Sequence, residues 1–249
     1  MNLRPFFIST FCYIDHPLTQ ALDILSRRTS HVEILSDGLH DLRLDSTPCN
    51  EYPFLYSVHA PSSEVNIAAV SERIRSASVD ELGDILAICN RIGAEHLVVH
   101  PGYSPYDQVR GRSVSSLLHS LDDLAQLQEE HGVRVCIENM GGWECCHFRT
   151  PAFLPELATR GLGCTLDCGH AQLNGNLNEF LATGDFCHVH LHDNGGKTDD
   201  HIACGDGTID YSGIWKKFPQ YATLVIETRE LAAANRSITY LTSLMEGEH

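Results

Sequence analysis

Short apolar runs recur along the chain at nearly regular intervals. They read "FFISTFCY" from Phe6, "HVEILS" from His31, "LYSVHAP" from Leu55, "HLVVHPG" from His96, "RVCIENM" from Arg134, "GCTLDCGH" from Gly163, "CHVHLHDN" from Cys187 and "TLVIETR" from Thr223. Their length and apolar character predict eight strands. Between them lie segments whose apolar residues follow helical spacing: "LTQALDILSRR", "VDELGDILAICNRIG", "SVSSLLHSLDDLAQLQEEHG", "PAFLPELATRG", "LNEFLATG" and "YSGIWKKF", with "LAAANRSITYLTSLM" after the last strand. Gly93, Gly132 and Gly161 stand where helices commonly stop. Residues 37–53 fit neither period and are expected to form a loop after the second strand with at most a short helix.

Strands that are apolar throughout and separated by helices imply a parallel sheet covered on both faces. Eight such units in 249 residues correspond to an α/β chain folded as a (β/α)8 barrel. An open doubly wound sheet is the rival, but no GxGxxG follows the first strand. With no linker, charge block or low-complexity segment, residues 1–249 are expected to form a single domain. The opening "MNLRPFFISTFCYIDHP" reads as a strand in preference to a signal peptide, and no apolar run has the length of a membrane span.

In such a barrel the C-terminal ends of the strands converge on one face, where active sites are built. The third strand ends in His59, the fourth in His100, the fifth in Glu138, the sixth in Asp167 followed by His170, the seventh in His190 and the eighth in Glu227. The loop after the seventh adds Asp199 and His201 in "KTDDHIACGDG". One strand-end histidine is ordinarily a hydrogen-bonded loop residue. Four carboxylates buried together are costly unless paired or metal-bound, and few cations lie nearby. Mixed imidazole and carboxylate donors without cysteine suit zinc, with manganese and iron as alternatives.

Composition narrows the partner. The formal charge is −16 and the only lysines are Lys197, Lys216 and Lys217, which argues against nucleic acid or an anionic membrane as the main partner. Any anionic substrate must be attracted locally. Arg110, Arg112, Arg149 and Lys197 fall in expected mouth loops and would grip its charge, while Tyr103, Tyr106 and Trp143 would stack on a ring. The ten cysteines form no CxxC pair and read as small buried residues of a cytoplasmic protein.

The ordered ligand set resembles the xylose-isomerase-like TIM-barrel superfamily, and in its metal-ligand pattern endonuclease IV of AP endonuclease family 2. The residues that carry the likeness are "SVHAPSSEVNIA", "LVVHPG", "CIENM", "TLDCGH", "HVHLHDN", "DDH" and "VIETR". The resemblance implies three zinc ions: one on His59, His100 and Glu138, a second on Glu138, Asp167, His190 and Glu227, and a third on His170, Asp199 and His201. The basic and aromatic loops with which endonuclease IV enters DNA are not evident. The stretch "HLHDNGGKTDDHIACGDGTIDY" also resembles sugar-phosphate isomerase/epimerase homologues, which use one metal on the positions of Glu138, Asp167, His190 and Glu227.

Charge separates these chemistries. One divalent cation against three carboxylates sums to −1, suited to a neutral polyol. Three cations against four carboxylates sum to +2, which attracts phosphate. The expected function is therefore a metal-dependent phosphodiesterase acting on a small phosphorylated or nucleotide-like substrate, with Glu138 and Glu227 as catalytic carboxylates and the metals as Lewis acids. The alternatives are an isomerase or epimerase that uses Glu138 and Glu227 as an acid–base pair, an abasic-site endonuclease, and a non-catalytic metal-binding module.

Overall fold

The computed structural model describes residues 5–246. The first four residues of the segment weighed as a signal peptide lie outside them. Eight parallel strands close into a barrel in sequence order: β1 (Phe6–Ser9), β2 (His31–Leu35), β3 (Leu55–His59), β4 (His96–Val99), β5 (Arg134–Glu138), β6 (Gly163–Asp167), β7 (His188–Leu191) and β8 (Thr223–Ile226). β8 returns to β1 through the pairs Phe6 with Leu224 and Ile8 with Ile226, so no edge is left open.

The helices cover the outside: α1 (Leu18–Leu25), α2 (Glu72–Ile92), α3 (Arg110–His131), α4 (Leu154–Ala158), α5 (Cys168–Leu173), α6 (Leu177–Thr183), α7 (Tyr211–Ile214) and α8 (Leu231–Glu246). Val58, Leu97, Val99, Val135 and Ile137 from the strands belong to the same buried cluster as Leu82, Ile85 and Leu86 of α2 and Leu117, Leu121 and Leu124 of α3. Burying a side chain of this size stabilises by roughly 1.5–3 kcal/mol. This layer holds the helices and leaves alternate strand residues to point into the lumen.

Two boundaries differ from those the apolar pattern predicts. The first strand stops at Ser9, whose hydroxyl accepts the Phe11 N–H at 3.2 Å and turns Thr10–Tyr13 into a 3-10 turn. α2 begins at Glu72, seven residues before the apolar period becomes visible. Its first turns hold Arg75, whose guanidinium is sequestered by Glu72, Asp123 and Ser120. Residues 37–53 carry only the 3-10 turns Gly38–His40 and Thr47–Glu51. Gly93, Gly132 and Gly161 have φ of 73°, 67° and 68° and terminate helical segments as expected. Among the described residues no helix is long and apolar enough to cross a membrane, and the ten cysteines are all free.

β6 runs directly into α5, a helix absent from the apolar pattern. The Asp167 carboxylate accepts the His170 main-chain N–H at 2.6 Å, so Asp167 caps the helix on which His170 stands. Gly169 lies in this tight turn because a Cβ there would overlap the ring of His192, which is fully buried. Gly169→Ala should therefore destabilise the fold by about 1–3 kcal/mol, the usual cost of overpacking. Urea unfolding measures this, and an unchanged midpoint would contradict the packing.

Candidate metal centre

The C-terminal ends of the strands bring together all nine residues expected as ligands. Glu138, at the end of β5, is 1% exposed and stands at the centre. Its Oε2 lies 3.1 Å from Nε2 of His59 and 3.1 Å from Nε2 of His100. Its Oε1 lies 3.2 Å from Nδ1 of His190. One carboxylate thus faces two donor groups with different oxygens. On the Oε1 side, His190 Nδ1 is also 3.7 Å from Asp167 Oδ2 and 3.5 Å from Glu227 Oε2. Beyond them, Asp199 Oδ2 lies 2.8 Å from His201 Nε2 and 3.4 Å from His170 Nε2.

The backbone sets the imidazole tautomers. Nδ1–H of His59 donates to the Ala60 carbonyl at 2.7 Å, that of His170 to Asn139 at 2.9 Å and that of His201 to Glu227 at 2.9 Å. Each leaves Nε2 as the free donor atom aimed at the carboxylates, the arrangement of a metal-ligating histidine. His190 is turned the other way. Its Nε2 approaches Glu33 Oε1 at 2.9 Å, out of line for a hydrogen bond, and its Nδ1 faces the centre. Glu33 reaches it across the lumen from β2 and also binds His188 Nε2 at 2.7 Å and the Ser57 hydroxyl at 2.8 Å.

The electrostatics show what the donor set requires. Burial pushes the Glu138 carboxyl up, but His190, His100 and His170 outweigh it and hold the pKa well below its ordinary value. Burial likewise opposes charge on His59, and the Glu138 carboxylate reverses this and raises it to about 9. His201 is raised to about 9 by Asp199 and Glu227 against its burial. His170 and His190 are raised well above the usual range, again against burial, by the carboxylates around them. Without a cation the carboxylates draw protons onto the imidazoles. Oδ1 of Asp199 is buried with no hydrogen-bond partner. This donor chemistry fits divalent metal ions, whose binding replaces those protons.

Asp193 provides a contrast two residues after β7. It is fully buried, but its carboxylate accepts main-chain N–H groups from Asn194, Gly205, Thr208 and Ile209. It is satisfied by backbone and holds the loop that carries Asp199 and His201.

All the donors but Asp167 and His190 line a cavity of about 430 Å³ whose walls include Phe11, Val65, Tyr103, Met140 and Trp143. Among the described residues no arginine or lysine lines it. The expected phosphate-gripping cations are engaged elsewhere. Arg110 bonds the carbonyls of Glu144 and Cys146, and Arg149 bonds the Gly141 carbonyl and Asn174. Arg112 and Lys197 are exposed outside the cavity, and Tyr106 lies in a neighbouring groove. These polar contacts satisfy the guanidinium groups and draw them away from the mouth.

Four residues bear on the site without having been singled out. Glu33 and His188 brace His190. His192 binds both Asp167 oxygens at 3.0–3.1 Å and stacks on His201 with ring centroids 3.8 Å apart. Arg229 stands at the rim, 5.7 Å from the centre of the Phe11 ring. The signal for the histidines was the alternation in "HVHLHDN", which puts His188, His190 and His192 on one face of an extended segment. For Glu33 it was a carboxylate inside the apolar run "HVEIL".

Comparison with known proteins agrees with this architecture. The family described as xylose isomerase-like TIM barrel matches residues 47–244. An uncharacterized protein of Methanocaldococcus jannaschii is 36% identical over 84% of this chain and 84% of its own length. A probable endonuclease 4 of Thermoplasma acidophilum is 27% identical over 61% of this chain and 58% of its own. A crystal structure of a D-tagatose 3-epimerase-like protein superposes with a TM-score of 0.87 at 26% identity, covering 97% of both chains.

The raised imidazole values give a pH test. His59 and His201 are held at about 9, above the ordinary value near 6.5. Their ion pairs therefore stabilise the chelator-treated protein fully below about pH 6.5 and lose that contribution as pH rises through about 9. Thermal melting in chelator should show falling stability across this window. With zinc in excess the fall should disappear, because proton loss favours metal binding. A chelated protein equally stable across the window would contradict this electrostatic account.

Proposed function

The chain belongs to the xylose isomerase-like TIM barrel family, and we propose that within it the protein is a divalent-metal-dependent phosphodiesterase acting on a small, ring-bearing substrate. The observation that carries this reading is the split of Glu138, one oxygen toward His59 and His100 and the other toward His190. A centre confined to Glu138, Asp167, His190 and Glu227 has no need of the first group, nor of Asp199 and His201. His59, His100 and Glu138 would hold one ion, Glu138 with Asp167, His190 and Glu227 a second, and His170, Asp199 and His201 a third. Ions bound there, zinc by preference, would supply Lewis acidity toward the phosphoryl group and the attacking and leaving oxygens.

The remaining work falls to the chain itself. Glu138 would orient the attacking water, and Glu227, 3.5 Å from His190 Nδ1, lines the same cavity. Phe11, Tyr103 and Trp143 exclude bulk water and offer flat apolar surface for a ring. Because no arginine or lysine among the described residues lines the cavity, the phosphate charge is met by the centre alone, and the chain charge of −16 repels polyanions elsewhere. A small phosphodiester is favoured over duplex DNA on this ground.

The rival reading is epimerisation of a free ketose between Glu138 and Glu227, supported by the likeness to a D-tagatose 3-epimerase-like structure. The two differ in which side chains are indispensable. His100→Ala and Asp199→Ala should each lower turnover of aryl phosphodiesters by about two orders of magnitude or more, the scale of losing one stabilising group at a developing charge. Ketose epimerisation by the wild type without phosphodiester turnover would establish the rival.

Glu33 gives a second test. Its carboxylate, 2.9 Å from His190 Nε2, favours the proton on that nitrogen electrostatically, which leaves Nδ1 as the donor toward the centre. Glu33→Gln should weaken zinc affinity about 10- to 100-fold with the fold intact, as loss of such partners does. Calorimetric titration that gives wild-type affinity for the variant would remove Glu33 from the centre.

A further inference from the structure

The opposite, N-terminal end of the barrel carries a second cluster of donors, chemically unlike the first. Sγ of Cys136 on β5 and Sγ of Cys187, just before β7, lie 3.4 Å apart. These positions are not neighbours, since β6 runs between them. The residue of β6 at the crossing is Gly163, where a Cβ would stand 2.7 Å from both sulfurs. Glycine thus leaves room for the two side chains to meet over the intervening strand.

His96, at the start of β4, completes the group. One of its ring nitrogens and the two sulfurs all lie within 4.8 Å of one another. Its Nδ1 is buried with no hydrogen-bond partner, an arrangement that leaves a polar atom uncompensated. Burial, with His188 and Arg134 nearby, lowers the His96 imidazole to about 3, so it is present as the neutral ligand form.

We infer that Cys136, Cys187 and His96 form a second cation site, which takes Zn2+ or a similarly thiophilic ion through two thiolates and one imidazole. Two sulfurs and a nitrogen select soft or borderline ions over Mg2+ or Ca2+. Three protein ligands leave a fourth tetrahedral position open. A cavity of about 310 Å³, lined by Arg134, Gly163, Asp185 and Cys187 among others, adjoins the site and offers an entry path. Binding releases the Cys136 and Cys187 thiol protons to solvent, so one divalent ion and two thiolates enter with no net charge, the condition a buried site tolerates best. The Cys136 contact and the Arg134 guanidinium ease Cys187 ionisation against burial, while burial and the same contact push the Cys136 thiol well above its ordinary value, so the second proton leaves only as the cation enters.

Cobalt distinguishes this site from the centre at the mouth, because only thiolate ligation gives an intense near-ultraviolet sulfur-to-cobalt charge-transfer band. The fully reduced full-length protein is titrated with Co2+ as wild type, as Cys136→Ser/Cys187→Ser, as His100→Ala and as Cys145→Ser/Cys146→Ser, the last removing the cysteines that line the mouth cavity. The band should appear in the wild type and in the two mouth variants, and vanish in Cys136→Ser/Cys187→Ser. Should that double variant not fold, Cys187→Ser alone should lose about half the band, as one of two thiolates is removed. No band in the reduced wild type overturns the inference. So does a band that survives Cys136→Ser/Cys187→Ser or is lost with Cys145→Ser/Cys146→Ser. Each readout is independent of whether the mouth hydrolyses a phosphodiester.

Discussion

Carboxylates held out of water need an opposite charge, and most of the interior of this barrel is arranged around that requirement. Glu138, Asp167 and Glu227 are at most 6% exposed, and Asp199 joins them at the mouth. Asp193, equally buried, is answered by four main-chain N–H groups and serves the loop. Glu33 is answered by His188, His190 and Ser57. The other four are met chiefly by imidazoles, Asp167 taking one main-chain N–H besides, and His59, His170 and His201 among those imidazoles are aimed by their own backbone hydrogen bonds. That the carboxylates raise the imidazoles and the imidazoles lower the carboxylates expresses one demand for positive charge, which divalent ions would satisfy with fewer particles than protons.

The barrel makes this concentration of charge affordable. Parallel strands tilted around a closed sheet carry residues far apart in sequence, from His59 to Glu227, to one rim, while the apolar layer beneath the helices supplies the burial that offsets the cost. The lumen is polar along much of its length, from His96 and Cys136 near the N-terminal end through Glu33 and Ser57 to the mouth. A core of this kind is specified by polar contacts as much as by volume, and the glycines at 163 and 169 mark where the side chains of Cys136, Cys187 and His192 fill the space a Cβ would occupy.

Much of this was legible in the sequence. Eight apolar runs with interposed helical periods identify the barrel, and ligand-type residues at successive strand ends converge because the fold is closed. What escaped was whatever depends on contacts across the lumen or on side-chain direction. Glu33 and His188 lie on strands that pair with neither of each other's neighbours, so nothing local announces their contact. Arg149 stands in a mouth loop as expected, whereas Arg110 and Arg112 fall in the first turn of α3; loop carbonyls and Asn174 claim the guanidinium groups of Arg110 and Arg149, and Arg229 occupies the rim instead. The early end of β1 and the early start of α2 depend on a Ser9 cap and an Arg75 ion-pair cluster, neither of which has an apolar period.

Glu138 is the carboxylate that two cations would share, one on each oxygen. A crystal structure of the zinc-soaked protein, with anomalous differences recorded at the zinc edge, addresses it directly. Three peaks at the mouth are expected, two of them on either side of Glu138 and the third among His170, Asp199 and His201. A single peak held by Glu138, Asp167, His190 and Glu227, with none beside His59 and His100 at saturating zinc, would contradict the shared carboxylate and the phosphodiesterase reading built on it.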